Sequence, residues 1–225
     1  MQSLHSALYS LHTDNRLAHV AFSSIPLPSS MVKSLCLPPP PHTYTHLLPD
    51  EPLPWYNSAD DSSLEDDVLV CFASSKLGEE METWAFALPT VQGYFSGVGD
   101  LFSAMVLAHF HPQTTHALPP LVYAVSKALL IVQQVLLQTH LYSLAHPSAL
   151  TSGMATPRPL HKSPTDSVIP SDNELDALQP TNGKDPKRRA KRMRLRELRV
   201  VQERHLLTQP GAWEGKQLNW LELLK

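Results

Sequence analysis

Cysteine and glycine are both scarce in this chain, with two and eight residues among 225. Cys36 and Cys71 stand too far apart for a metal-ligand spacing and are too few for a disulfide framework. The start, MQSLHSALYSLHTD, has no basic region ahead of a long apolar core and does not read as a signal peptide. The longest apolar run, residues 121–137 (LVYAVSKALLIVQQVLL), carries Lys127 near its middle and Gln133 and Gln134 near its end. A central lysine costs about 2.5–3.5 kcal/mol on insertion scales, so a buried helix of a cytoplasmic protein is expected instead.

Proline, by contrast, is abundant. Its 21 copies are too many for uniform packing, and they predict long loops beside a core that the 42% hydrophobic content can supply. The net charge of −3 hides an asymmetry. Ten of 21 acidic residues fall between Asp50 and Glu82, and ten of 18 basic ones between Lys184 and Arg204. The run KRRAKR keeps nuclear entry open, but no aromatic residues interleave it and it is flanked by an expected strand, so nucleic-acid contact is not expected.

Leu4, Ala7, Leu8 and Leu11 follow helical spacing and predict a helix over 3–12. AHVAFSSI (18–25) reads as a buried strand closed by Pro26 and Pro28. Residues 27–67, with PPPP and DDSSLEDD, read as a disordered insertion. Strands are expected at 68–75 and 83–89, an interior helix from Asp100 to about Phe110, and a long helix over 121–145. In that last helix Lys127, Gln134, Gln138 and Thr139 form a polar stripe. Residues 146–186 read as a disordered linker. Residues 187–225 read as a basic segment with a last strand around Val200 and Val201 and a tail. The order of elements predicts an α/β layer with much of a sheet missing, carried mainly by residues 1–145.

With so few glycines, the placing of two of them in FSGVGDLFSAMVLAHF (95–110) is informative. Gly97 and Gly99 permit positive φ and close approach of a ligand, and the helix that follows points its first amides and its positive dipole end outward. Such a turn suits a phosphate, with dipole effects of about 0.3–2 kcal/mol. Asp100 stands where a carboxylate could take the proton of an attacking hydroxyl. The plainer alternative is an N-cap aspartate after a strand-to-helix turn. Neither a Walker loop nor G-x-G-x-x-G matches. Twelve histidines scatter, and His109, His111 and His116 have no carboxylate or cysteine to complete a metal site. Cys71, in a buried strand, reads as a small hydrophobe.

The longer string GYFSGVGDLFSAMVLAHF (93–110) resembles the catalytic segment of the pyridoxal kinases of the ribokinase-like superfamily, where a strand runs into Gly-Thr-Gly-Asp-Leu-Phe-Ala-Ala and an apolar helix. AVSKALLIVQQVLLQTHLYSL (124–144) is similar to the long helix that follows there, and RELRVVQERHLL (196–207) to the last strand. HVAFSSIPLP (19–28) resembles the strand with a Thr/Ser-Ser pair beside the nucleotide. The insertion, the basic run and WEGKQLNW look most like fungal members. The resemblance implies the C-terminal portion of a three-layer α/β/α sandwich and ATP-dependent phosphorylation of pyridoxal, pyridoxine or pyridoxamine at the 5′-hydroxymethyl group. It implies Asp100 as base, Gly97, Val98 and Gly99 as anion hole, and Ser23, Ser24, Val91, Gln92 and Gly93 as ATP contacts. It also implies Mg²⁺ on the nucleotide and a homodimer.

Two departures qualify it. Val98 replaces the commoner threonine, which removes a hydroxyl but leaves the amide. The vitamin pocket, the Asp-Pro-Val-x-Gly-Asp segment and the Asn-x-x-Glu motif, which precede the turn in the family, are not found ahead of it here, so an incomplete kinase is expected. NWLE (219–222) fits the last motif by letters only. A sister kinase for hydroxymethylpyrimidine or a sugar, and a non-catalytic interaction protein with a basic segment, stay open as alternatives.

Overall fold

The computed structural model describes residues 1–48, 56–57, 67–91, 95–113, 116–145 and 197–224. Helix α1 (Gln2–Thr13) leads to strand β1 (His19–Pro28), short helices α2 (Ser29–Leu35) and α3 (His42–Thr45), and strand β2 (Tyr56–Asn57). Strands β3 (Asp67–Leu77), β4 (Glu80–Leu88) and β5 (Thr90–Val91) follow, then helices α4 (Val98–His109) and α5 (Pro120–Ala145). A 3₁₀ turn (Arg204–Thr208), strand β6 (Lys216–Gln217) and helix α6 (Trp220–Leu223) complete the order.

The fold is mixed α/β, and its four-stranded sheet is antiparallel, not the parallel sheet of the sandwich that the resemblance implied. Its order is β1-β3-β4-β6, and every neighbouring pair is antiparallel. The reason lies at Gly78 and Glu79. A two-residue turn, with Gly78 at φ +72°, returns β3 directly onto β4 and leaves no length for a crossover. The continuous apolar run VLVCFA signals burial on both faces, and such burial carries no information about strand direction.

Period-two alternation divides this hairpin between two cores. Cys71, Ala73, Phe86 and Leu88 pack with Val122, Val125, Leu129 and Leu137 of α5 and with Tyr44 and Trp213. Val68, Val70, Phe72, Ala85 and Ala87 pack on the other face with Leu8 of α1, Val32 and Leu35 of α2, and Leu218 and Trp220. Helix α5 is long and apolar enough to cross a membrane, yet most of its residues are buried inside the structure. Even its polar stripe is largely enclosed: Gln134 Nε2 donates to the Thr43 carbonyl at 3.0 Å, and Thr139 accepts from the Arg199 amide at 3.2 Å. A third cluster joins Leu101 of α4 to Ile131, Val132, Val135 and Leu136 of α5 and to Leu206.

Three further expectations change. The 27–67 segment is ordered as far as residue 48, because Val32, Leu35 and Tyr44 find buried positions in the two cores; 49–55 and 58–66 lie outside the described residues. Helix α4 is not interior: only Leu101 is buried, and Leu107 is 76% exposed. It has α5 beneath it, and its outer side carries Leu107 into solvent. Around Val200 the chain turns instead of forming a strand; a single parallel bridge, Ser96 to Glu197, stands where ladder pairing was expected. The linker at 146–186 and the basic cluster KRRAKR lie outside the described residues.

The 197–224 segment is structural, not a loose tail. Trp213 is buried in the first core, donates from Nε1 to the Ala87 carbonyl at 2.9 Å, and meets Tyr44 edge-to-face at 5.2 Å. Ser126 Oγ donates to the Trp213 carbonyl at 2.6 Å, while the Trp213 amide donates to the Ser126 carbonyl at 3.0 Å. On the opposite face, Trp220 Nε1 donates to Thr83 Oγ1 at 3.1 Å; Thr83 and Ser74 hydroxyls are 3.0 Å apart, and Ser74 lies 2.9 Å from His12 Nε2. With His12 Nδ1–H donating to the Leu17 carbonyl, one proton arrangement satisfies this whole buried chain.

Replacing Trp213 with alanine removes that anchor and leaves a cavity, so Trp213→Ala is expected to cost about 3–5 kcal/mol in urea unfolding. A loss below 1 kcal/mol would show that the segment does not hold the core. Burial also pushes the His140 imidazole down to about 4 from its ordinary 6.5. The unfolded chain gains that proton near pH 6.5 and the folded chain only near pH 4, so stability falls as pH drops between these values. His140→Leu is expected to flatten this slope in unfolding midpoints measured across the window.

Candidate functional site

A cavity of about 380 Å³ opens where the sheet, α4 and α5 meet. That volume is within the range of small-molecule pockets. Its apolar walls come from Leu69 of β3, Leu88 and Pro89 at the end of β4, Val91 of β5, Phe95, Val98 and Phe102 around the start of α4, and Leu129, Val132 and Leu136 of α5. The polar groups are few: Ser23, Ser24, Gln133 and the backbone at Gly99.

The serines owe their position to a bulge. Phe22 pairs with Phe72 and Ile25 with Val70, so two residues of β1 stand opposite Cys71 alone. The extra residue bends the edge strand at Ser23 and Ser24 and brings both to the cavity. Pro26 and Pro28 further along the same strand remove two amide donors from the sheet edge.

Gly97 adopts φ +88°, ψ 8°, a left-handed conformation that costs other residues about 1–2 kcal/mol. It is the N-cap of α4, and the first helical bond runs from the Leu101 amide to the Gly97 carbonyl at 2.9 Å. Asp100 therefore occupies the third helical position and is not the cap. No side chain caps this helix. A Cβ at Gly97 or Gly99 would meet nothing within 4 Å, so both face open space. The first-turn amides beside Gly99 are thus aimed where an anionic group could sit.

The expected site residues sort clearly. Ser23, Ser24, Val91, Val98 and Gly99, from three separate stretches of chain, line one cavity. Gly97 shapes the turn beside it. Asp100 is exposed in the first turn of α4 and does not line the cavity itself. Gln92 and Gly93 lie outside the described residues.

Sequence reasoning missed Gln133, which counted there only against a membrane span. It lines the cavity, is 5% exposed, and its Oε1 is buried with no hydrogen-bond partner among the described residues. The available signal was an uncharged polar pair, Gln133 and Gln134, inside an otherwise apolar helical face. Of the two, Gln134 is tied into the fold through its Nε2 and the Thr43 carbonyl, although its Oε1 is also without a partner among the described residues.

The remaining reactive groups lie elsewhere. Burial raises the Cys71 thiol and leaves it inert. Burial, followed by the nearby Lys127 and His111, lowers the His109 imidazole. His116 stacks on Tyr123 at 3.8 Å. No group of three or more His, Cys, Asp or Glu gathers among the described residues. From the basic run, Arg199 lies over the Tyr142 ring at 3.7 Å and approaches Glu203 at 4.0 Å, which ties it to the fold. Comparison with protein-family models, curated proteins and solved structures returned no match.

The two glycines are expected to respond oppositely. Gly97→Val should lower stability by about 1–2 kcal/mol, because valine is strained at that φ. Gly99→Ala, with helical backbone and open space, should leave stability unchanged or raise it by up to about 1 kcal/mol. Thermal midpoints of the two variants check this, and equal losses would contradict the geometry.

Proposed function

We propose that this chain serves in ATP-dependent phosphorylation of a hydroxymethyl group, of the pyridoxal, pyridoxine and pyridoxamine class. The observation that carries the reading is the meeting of Ser23, Ser24, Val91, Val98 and Gly99 at one cavity beside an uncapped, glycine-led helix start. An apolar slot with few polar groups suits a nucleobase, and free first-turn amides suit its phosphates. These residues fit ATP. They form no cage for Mg²⁺, which in this reading arrives on the phosphates, as it commonly does in phosphoryl transfer, where it neutralises charge.

The chain's own groups then divide the work. The amides at Val98, Gly99 and Asp100 hold negative charge that develops on the transferring phosphoryl group. Donors of this type are worth about 3–4 kcal/mol each in acyl-transfer sites. The Asp100 carboxylate, exposed on the same turn, receives the proton of the hydroxyl that attacks. Its place outside the cavity walls leaves room for the phosphates between it and the base slot. Val98 contributes only its amide, since its side chain has no donor.

Asp100→Asn is expected to lower phosphoryl transfer to pyridoxal by about 10²–10⁴-fold while ATP affinity stays unchanged. Coupled turnover assays and titration calorimetry on the same protein check both halves. Full turnover in the variant would remove Asp100 from the reaction, and a wild-type chain that does not bind ATP would remove the reading.

A further inference from the structure

We infer that Gln133 is the specificity-determining residue of this cavity and that it selects a purine carrying a 6-amino group. The inference rests on the nucleotide reading above and deepens it. Gln133 lies on α5, 5% exposed, among Leu129, Val132 and Leu136. Its Oε1 is cut off from solvent and has no partner among the described residues; Gln134 Oε1 is likewise unpaired, but Gln134 is held through Nε2 by the Thr43 carbonyl and does not line the cavity. An unpaired buried acceptor is costly in a ligand-free protein, and leucine or methionine at this place would remove the cost. A glutamine placed against a cavity wall is explained when the ligand brings the missing donor.

The chemistry narrows that donor. The walls are apolar and admit a flat ring, and among the described residues the only other polar side chains are the Ser23 and Ser24 hydroxyls on the bulged strand. With phosphates at the Gly99 end, the base enters the apolar slot. A 6-amino group then donates to Gln133 Oε1. A purine without that group presents only ring nitrogens, which accept and do not donate, and so leaves Gln133 Oε1 unpaired.

The experiment compares ATP with purine riboside triphosphate, which is ATP without its 6-amino group, by calorimetric titration of the full chain and of Gln133→Met. Wild type is expected to bind ATP about 5- to 100-fold more tightly than the purine analogue, the cost of one unpaired buried group. Gln133→Met is expected to bind the two alike while its ligand-free thermal midpoint is equal or higher. Equal wild-type affinities, or undiminished discrimination in Gln133→Met, would overturn the role of Gln133 and leave the nucleotide site standing. A wild-type chain that binds neither compound would overturn the nucleotide reading and this inference together. A glutamine with a purely structural role would leave the ratio of the two affinities unmoved on substitution.

Discussion

The described residues are arranged around a two-stranded antiparallel ribbon, β3 and β4, that is apolar on both faces. Cys71, Ala73, Phe86 and Leu88 cannot be covered by the same layer that covers Val70, Phe72, Ala85 and Ala87, because successive side chains of a strand point oppositely. Two helical layers are therefore required, and the chain supplies them from distant places. Helix α5 covers one face, while α1, α2 and α6 cover the other. The 197–224 segment contributes to both, with Trp213 on one side and Trp220 on the other.

The candidate site follows from how those layers end. Helix α5 extends beyond the ribbon and offers Val132 and Leu136 to α4 as well as to the sheet side. The bulge at Ser23 and Ser24 opens the edge strand where α4 begins. Between them a gap remains that no side chain of the described residues fills. The local rules broken there are informative: a left-handed glycine without a side-chain cap, and a buried amide oxygen without a partner. Stability alone does not favour the unpaired oxygen, which lies on the cavity wall while Gly97 shapes the turn beside it, the pattern expected where function takes precedence over packing.

Much of this was legible from residues in order. The helical spacing of Leu4, Ala7, Leu8 and Leu11 matched α1, and the apolar runs at 68–75 and 83–89 matched β3 and β4 closely. The glycine turn before α4 was readable because glycine is rare here and Gly97 needs positive φ. Strand direction was not readable from the runs themselves, and the helical character of 29–45 was masked by prolines that border the helices without interrupting them. The surface position of α4 was also hidden, since composition reports how apolar a helix is but not how many neighbours it has.

The sequence by itself determined local conformation: where helices and strands form, where the backbone must turn left-handed, and which side chains need cover. These depend on near neighbours along the chain, on sterics and on periodicity. Tertiary structure alone decided which distant groups meet. Ser23, Gly99 and Gln133 come together through a bulge, a helix start and a buried helix whose relative placement depends on packing across hundreds of pairwise contacts. Which of two adjacent glutamines would be tied to the Thr43 carbonyl and which would face a cavity was likewise decided there, because such partners are fixed only when the layers close.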